Sequence, residues 1–247
     1  MQDYDVIDAF IEYLRRHGYP ELTVTSYPDK ENRSTSDIDA IAGPFAIEHT
    51  SIDTLPNQRR NDDWFLQVIQ GLEEEFHGQL SFRMSITLHY DAVAKGKGQD
   101  WLEINKAFKN WIREKSPLLG YGEHKINNIP GIPFQFNIDK RRSHIPGIAF
   151  SRFEPQDDTL SCRIKQLFDR KAKKLKRYQN LGKTTILLIE NNDKALMNVQ
   201  GWKILNAIRG VYPFALPDGV DRIWYIDTAK LPNKDIFKDF TSELLTK

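Results

Sequence analysis

The chain has 247 residues, 40% of them hydrophobic, and a formal net charge of +1. This composition is typical of a globular protein that buries one elaborated domain or two small ones. The sequence contains no apolar run long enough to span a bilayer and no signal-peptide pattern at its N-terminus. Its one cysteine, Cys162, excludes an internal disulfide and a zinc site built on paired cysteines. We therefore expect a cytoplasmic protein with no membrane partner.

Apolar periodicity predicts alternating helices and strands, which is typical of an α/β protein with a mixed sheet. In chain order the predicted elements are a helix over 4–17, a strand over 22–27, a hairpin over 36–50, a helix over 61–77, a strand over 82–89, a helix over 101–115, a hairpin from 132–138 and 148–153, a helix over 158–181, a strand over 185–190, a helix over 202–208, a strand over 222–227 and a helix over 234–245. Glycines and prolines at 96–98 and 117–133 interrupt the pattern and indicate an inserted segment.

The most informative segment is the hairpin, SDIDAIAGPFAIEHT over 36–50. A two-residue turn at 43–44 sets a register in which Asp39 lies opposite Glu48. Because side chains alternate between the two faces of a strand, the hairpin residues divide into two sets. One face carries Asp37, Asp39, Glu48 and Thr50, and the other carries Ile38, Ala40, Ile47 and His49.

Two opposed carboxylates repel each other, so this arrangement needs a compensating charge. The oxygen ligands that Asp39 and Glu48 provide suit Mg²⁺ or Mn²⁺, and the backbone carbonyl of His49 supplies a further hard ligand. The sequence therefore predicts a divalent-metal site on the hairpin. The alternative is an acidic hairpin whose carboxylates face water.

The pattern of Asp39, a strand end, a turn and then Glu48-x-Thr50 resembles the PD-(D/E)xK nuclease superfamily, in which a hairpin carries Asp and then Glu-x-Lys. The core of that superfamily reads helix, three strands, helix, strand, and the predicted elements from 4–17 to 82–89 follow this order. The resemblance implies a restriction-endonuclease-like fold, with a mixed central sheet flanked by helices, and Mg²⁺- or Mn²⁺-dependent endonuclease activity. The chain departs from the pattern at Thr50, which carries no positive charge to stabilise a transition state.

The resemblance divides the chain into three parts. Residues 1–92 form the nuclease-like core with the acidic hairpin. Residues 93–157 form an inserted α+β segment with a helix and a hairpin. Residues 158–247 supply a basic helix and an α/β extension of the core sheet.

A lysine on the predicted helix over 158–181 can replace the missing cation. The apolar residues of this helix recur with helical period, and Lys171 falls inside the apolar stripe. Lys174 lies at the margin of the stripe. We therefore expect Lys171 to join the hairpin carboxylates and Thr50 as the catalytic set. The alternative is a lysine whose ammonium reaches the surface along an apolar face.

Charge is distributed unevenly along the chain. Residues 1–80 carry 16 Asp and Glu against 6 Lys and Arg, a net charge of −10, and the remainder carries +11 by difference from the total of +1. The basic density of the 158–181 helix is typical of a surface that binds a phosphate backbone, although it is also compatible with a solvated helix face. We expect a nucleic-acid partner, with DNA favoured over RNA. The predicted contacts are Arg170, Lys173, Lys174, Lys176 and Arg177 on this helix, and the cluster of Lys140, Arg141 and Arg142.

The function that these patterns favour is a metal-dependent nuclease that hydrolyses phosphodiester bonds. The segment containing Asp37 and Asp39, Ser-Asp-Ile-Asp, is also similar to a motif of polymerase-beta-like nucleotidyltransferases, in which both aspartates bind magnesium. The glycine that would let the backbone of that family approach a triphosphate is absent from the segment over 25–30. A third hypothesis is a catalytically inactive nuclease fold that binds nucleic acid, because Thr50 replaces the lysine.

Overall fold

The computed structural model describes residues 3–31, 36–93, 98–153, 155–192, 200–228 and 237–246. These residues belong to two compact units. The first unit contains the described residues up to Pro56 and from Asp157 onward, and the second contains those from Asn57 to Gln156. Among the described residues, the second unit is therefore one continuous insertion into the sequence of the first.

The described elements mix helices and strands along the chain, as expected for an α/β protein. In chain order they are α1 (Asp3–Arg16), β1 (Val24–Ser26), α2 (Pro28–Glu31), β2 (Ala40–Ala42), β3 (Phe45–Ser51), α3 (Gln58–Ile69), α4 (Leu72–Phe76), β4 (Arg83–His89), α5 (Trp101–Glu114), β5 (Gly122–Ile126), β6 (Phe136–Arg141), β7 (Gly147–Phe153), α6 (Leu160–Asn180), β8 (Thr184–Asn191), α7 (Gln200–Val211), β9 (Arg222–Asp227), β10 (Phe237–Asp239) and α8 (Phe240–Leu245). None of the helices in the described ranges combines the length and the apolar composition that a membrane crossing requires.

The described part of the first unit forms a six-stranded mixed sheet with the strand order β1-β2-β3-β8-β9-β10. Strands β3, β8 and β9 run parallel to one another, and the flanking strands pair antiparallel. Strand β8 is buried along nearly its whole length, as its apolar run predicts. It lies between β3 and β9, so the strand that follows α6 continues the sheet of the hairpin.

Helices cover both faces of this sheet. Helix α1 packs Val6, Phe10 and Leu14 against the face of β3 that carries Phe45 and Ile47. On the opposite face, α6 and α7 enclose a second core. The members of that core include Ala46, Ile164, Phe168, Leu175, Leu187 and Ile204. The alternate residues of β3 therefore meet different helices.

The second unit builds its own sheet of four strands, in the order β5-β6-β4-β7 among the described residues. Strand β4 is antiparallel to β6 and parallel to β7. Its alternate residues Met84, Ile86 and Leu88 are buried, as the period of a half-buried strand requires. They share one core with Phe65 of α3 and Phe108 of α5.

The structure corrects several predicted elements of this unit. The strand over 82–89, here β4, belongs to the second sheet and not to the sheet of the hairpin. The helix over 61–77 is two helices, α3 and α4, because Gly71 takes a φ of 72° between them. The strands near 132–138 and 148–153 do not form a hairpin, since β4 lies between β6 and β7 and pairs with both.

The second unit begins at residue 57, whereas the predicted insertion begins at residue 93. Without the insertion, the first unit runs α1, then β1 to β3, then α6 and β8. Helix α2 lies between β1 and β2, and α6 and β8 take the places that the prediction gave to 61–77 and 82–89. Of the final helix over 234–245, the described part begins at Phe240, after β10. The first residues of that prediction, 234–236, lie outside the described residues.

Candidate active site

The hairpin of β2 and β3 carries the first two site residues. The strands pair in the register that a turn at 43–44 predicts. Gly43 has a φ of 50°, in the left-handed region that favours glycine. Asp39 directly precedes β2, and a continuation of the same register places it opposite Glu48.

Glu48 lies on β3 and faces α6, and the exposed fraction of its side chain is 0%. Its Oε1 atom accepts a hydrogen bond from the Lys171 ammonium and another, at 3.0 Å, from the Lys174 ammonium. Lys171 also donates to the His49 carbonyl at 3.1 Å. Lys174 donates to the Asp37 carbonyl at 2.7 Å. Two cations from one helix therefore meet one carboxylate of the hairpin.

The helical period of α6 explains why both lysines reach the hairpin. Phe168, Ala172 and Leu175 of this helix are buried in the core against the sheet. Lys171 and Lys174 are three residues apart and flank this apolar stripe, so their side chains leave the same side of the helix. Their side chains are only 16% and 20% exposed, respectively. The sequence pattern predicts Lys171 near the hairpin carboxylates, but it does not predict the contact of Lys174.

Burial and mutual repulsion change the acidity of the two hairpin carboxyls. Burial raises the pKa of Asp39, against the opposing effects of the lysines and of the His49 N–H, which donates to its Oδ2 atom at 2.7 Å. Burial also raises the pKa of Glu48, and the Asp39 carboxylate raises it further, against the opposing effect of Lys171. The two carboxyls are therefore close enough to repel each other.

Asp39 and Glu48 are the two side chains of this hairpin that could hold a divalent cation. The Oε2 atom of Glu48 is buried and has no hydrogen-bond partner among the described residues. A buried carboxylate oxygen without a partner costs free energy, and a cation that binds it removes that cost. In the described ranges there is no group of three or more His, Cys, Asp and Glu side chains placed to hold a metal. The backbone ligand that the sequence predicts, the His49 carbonyl, accepts from Lys171 here.

The neighbouring hairpin residues follow the predicted pattern only in part. Asp37 is buried, and its Oδ1 atom accepts hydrogen bonds from the Tyr178 hydroxyl at 3.0 Å and the Ile38 N–H at 2.9 Å. Ile38 packs into the core on the α6 side and not on the opposite face, because residues 36–39 are not part of a strand. Thr50 is buried on the same face of β3 as the glutamate two residues before it, and it brings no charge to the site.

The His49 side chain lies on the opposite face of β3, as the alternation predicts. It is 3% exposed, and its Nε2 atom lies 3.2 Å from Oε2 of Glu190 at the end of β8. Glu190 also accepts hydrogen bonds from the hydroxyls of Ser51 at 2.9 Å and Thr228 at 2.7 Å. Burial by itself would raise the pKa of Glu190, but the contacts with His49, Thr228 and Ser51 hold it at about 2. Glu190 is therefore a charged carboxylate at the end of an apolar strand.

The predicted phosphate contacts of α6 differ in their exposure. Arg170, Lys173 and Arg177 are exposed, and none forms an ion pair with a residue that the structure describes. They recur at i, i+3 and i+7 and so form one stripe along the helix, which we call the basic stripe. Lys176 is half-buried and pairs with Asp218 at 2.7 Å.

The structure contradicts the predicted role of Lys140 in nucleic-acid binding. Lys140 is 3% exposed, and its ammonium donates to three backbone carbonyls within 116–119 at distances of 2.6 to 3.2 Å. Burial lowers the pKa of Lys140. Lys140 therefore supports the fold of the second unit. Of its neighbours, Arg141 pairs with Asp139, and Arg142 is exposed.

Comparison of the chain with protein-family models, with curated proteins and with solved structures produced no match. The site is therefore interpreted from its own geometry. Sequence patterns do not predict the contacts of Lys174, Tyr178 or Glu190. The one sequence signal for the Glu190 network is the carboxylate that ends the apolar run of β8.

We predict that Asp39→Asn changes the pH dependence of stability in the presence of a chelator. Because the pKa of Asp39 is raised by burial, its contribution to stability is complete below the ordinary value of 3.8 and is lost as pH rises through the folded pKa. Asparagine keeps an acceptor for the His49 N–H but has no charge to bury. The free energy of unfolding of the variant, relative to wild type, should therefore increase from about pH 4 to about pH 8 in urea denaturation.

The same substitution at the exposed Asp63 controls for the change of side chain. A difference between Asp39→Asn and wild type that stays constant over this pH range would contradict the burial of a charged Asp39.

Proposed function

We propose that this protein is a nuclease that hydrolyses phosphodiester bonds of DNA with Mg²⁺ or Mn²⁺. The observation that carries the proposal is the meeting of the Asp39 and Glu48 carboxyls with the Lys171 ammonium. Asp39 and Glu48 come from a hairpin in the order that the PD-(D/E)xK resemblance implies, and Lys171 of α6 replaces the lysine that the pattern has at the position of Thr50. Strands β1 to β3 and β8 belong to one sheet, and α1 precedes and α6 interrupts this set of strands in the chain. This arrangement supports a restriction-endonuclease-like core.

Lys171 supplies the positive charge that Thr50 lacks. Its side chain is partly exposed, so a change of rotamer can move the ammonium from Glu48 to a phosphate oxygen. Lys174 is also held by the Asp37 carbonyl and stays on Glu48, where it offsets the buried charge. In the reaction, water attacks phosphorus and the bond to the 3′ oxygen breaks, which leaves a 5′-phosphate and a 3′-hydroxyl, as the resemblance implies.

Asp39 and Glu48 would hold the ion, with the His49 carbonyl as the backbone donor. When bound, Mg²⁺ or Mn²⁺ supplies Lewis acidity, which stabilises the negative charge that develops on the phosphate oxygens. Two features of the protein favour a cation here: Glu48 has a buried oxygen without a described partner, and the two carboxyls repel each other.

The basic stripe provides the surface for the DNA backbone. Arg170 and Arg177 each lie about one helical turn from Lys174, on either side of it, so the stripe adjoins the lysines of the site. Its three side chains are exposed and therefore free to meet phosphates. Binding of this kind does not depend on base sequence and weakens with salt.

Two other functions use the same residues and are separable by experiment. A nucleotidyltransferase would need Asp37 as a metal ligand, but the Asp37 carboxylate is buried and accepts hydrogen bonds from Tyr178 and Ile38. A catalytically inactive protein that binds nucleic acid would keep the basic stripe but would not need the pair of carboxyls at Asp39 and Glu48. The first would label an acceptor from a nucleoside triphosphate, and the second would bind DNA without cutting it.

We predict that the protein cleaves supercoiled plasmid DNA with Mg²⁺ or Mn²⁺ and stops when EDTA is added. Glu48→Gln and Asp39→Asn should each reduce the cleavage rate about 100-fold or more, because each removes a carboxylate that would hold the ion. Lys171→Ala should cause a loss of similar size, because it removes the cation that stabilises the transition state. Gel electrophoresis of the plasmid forms over time measures the rate.

Lys165→Ala is the matched control for Lys171→Ala, because Lys165 lies on the same helix but is exposed and pairs with Asp169. Its cleavage rate should equal that of wild type. A wild-type protein that binds the plasmid and leaves it intact with either ion would contradict the proposal, as would full activity of Glu48→Gln.

We predict that the triple variant R170A/K173A/R177A binds DNA with lower affinity, and that this affinity changes less with salt concentration than that of wild type. Each lost phosphate contact reduces the slope of log affinity against log salt by about 0.9, so the slope should become less steep by about 3. Fluorescence anisotropy with a labelled duplex in EDTA measures binding without cleavage.

The control is K106A/K109A/R113A on α5, which removes three positive charges at the same helical spacing. These residues pair with Glu103 and Glu75 in the second unit. If both triple variants reduce the slope equally, the effect is one of net charge, and the basic stripe is not the DNA-binding surface.

A further inference from the structure

The backbone of His49 contacts two side chains of the proposed site, Asp39 and Lys171. The N–H of His49 donates to Asp39 Oδ2 at 2.7 Å. The carbonyl of His49 accepts from the Lys171 ammonium at 3.1 Å. The hairpin ladder ends at the pair Ala40 and Ile47, so these peptide groups meet side chains of the site and not a neighbouring strand residue of β2. The orientation of the His49 backbone therefore affects Asp39 and Lys171 together.

The imidazole of His49 lies on the other face of the sheet, beside the Glu190 carboxylate. Its Nε2 atom lies 3.2 Å from Glu190 Oε2, and the two side chains are 3% and 8% exposed. This contact joins β3 to the end of β8. The backbone makes a second link close by, because the N–H of Ile52 donates to the Glu190 carbonyl at 2.8 Å.

The Glu190 carboxylate is itself fixed from two directions. The Ser51 hydroxyl donates to Oε2 at 2.9 Å, and the Thr228 hydroxyl donates to Oε1 at 2.7 Å. Ser51 belongs to β3, and Thr228 follows β9. A buried carboxylate with this many partners has few alternative positions, so it can hold the imidazole in one orientation.

Stability alone does not account for a charged residue at this place. Replacement of a buried ionic group by packed apolar side chains is often neutral or stabilising, and the preceding residues of β8 are apolar. Glu190 also lies on the opposite face of the sheet from Glu48, so it is not a further ligand of the proposed metal. Within the part of the chain that the structure describes, its side-chain contacts are His49, Ser51 and Thr228.

We propose that Glu190 and the His49 imidazole are positioning residues, which hold the His49 backbone so that its N–H orients Asp39 and its carbonyl stays directed into the site, where it accepts from Lys171 in this structure and would serve as the backbone donor to the ion. The inference rests on the proposed nuclease function for its catalytic consequence, but its structural part is independent of that function. Glu190 contacts no reacting group in this scheme. It acts through the two peptide groups that flank the His49 Cα, while the His49 side chain lies on the other face of the sheet.

The first test is Glu190→Gln, which removes the charge and nearly keeps the shape. With Mn²⁺ alone as the probe, isothermal titration calorimetry should show binding weakened about 10- to 100-fold. Plasmid cleavage should lose kcat by a similar factor, with KM for DNA unchanged, because the basic stripe is not affected. All measurements are made well below the melting temperature of each variant, so that a loss of stability alone does not change them.

Thr185→Val is the matched control. Thr185 is also a fully buried polar residue of β8, and its hydroxyl makes hydrogen bonds to Gly219 and Asp221 at the far end of that strand. This variant should lose stability but keep Mn²⁺ binding and kcat within about twofold of wild type. Wild-type Mn²⁺ binding and kcat in a folded Glu190→Gln protein, or equal losses in both variants, would overturn the proposal.

A second measurement separates this inference from the proposed function. Hydrogen exchange of the His49 amide, followed by NMR, should be faster in Glu190→Gln by about tenfold, because the N–H is no longer held on Asp39. The amides near Thr185 should not change. If Glu190→Gln does not fold, Thr228→Val, which removes only one hydrogen bond to the carboxylate, should give a smaller change in the same direction. If wild type neither binds Mn²⁺ nor cleaves DNA, the nuclease proposal fails. The positioning role is judged separately, and it is overturned if the hydrogen exchange of the His49 amide is unchanged in the variants.

Discussion

The burial of Glu48 against two lysines of α6 is the interaction on which the rest of the first unit depends. A fully buried carboxylate is costly unless opposite charges and hydrogen-bond donors surround it. Lys171 and Lys174 meet this requirement at one oxygen, and the contact with Lys171 joins residues 123 positions apart in the chain. The sequence between them contains all the described residues of the second unit. This contact adds to the apolar packing of α6 on the sheet and fixes the two lysines of the helix on the hairpin.

The two oxygens of the Glu48 carboxylate differ in their hydrogen bonds, and this difference connects the stability of the fold to the proposed function. Its Oε1 atom has two cationic donors, whereas Oε2 has no hydrogen-bond partner among the described residues. The Asp39 carboxylate close by raises the pKa of Glu48 further. Groups whose acidity is perturbed by burial and by a like charge are typical of functional sites. The cost of this arrangement in the folded protein is what would favour a divalent ion at the proposed site.

Local patterns in the sequence predict those parts of the site that depend on local geometry. The turn at 43–44 and the period of two place Asp39 opposite Glu48, and the period of the helix places Lys171 on the inner face of α6. Pairing between distant segments is not visible in such patterns, so the strand over 82–89 is predicted correctly as an element but in the wrong sheet. Lys140 fails for the same reason, because the carbonyls within 116–119 that bury its ammonium come from a separate segment.

The central claim is that Asp39 and Glu48 share one divalent ion, and anomalous diffraction at the manganese edge tests it most directly. Crystals grown with Mn²⁺ should show an anomalous peak in contact with an oxygen of Asp39 and with Oε2 of Glu48. The Lys171 ammonium should no longer cover the His49 carbonyl in those crystals. An electron-density map without an anomalous peak between these carboxylates, with Lys171 still on Glu48 at saturating Mn²⁺, would contradict the account.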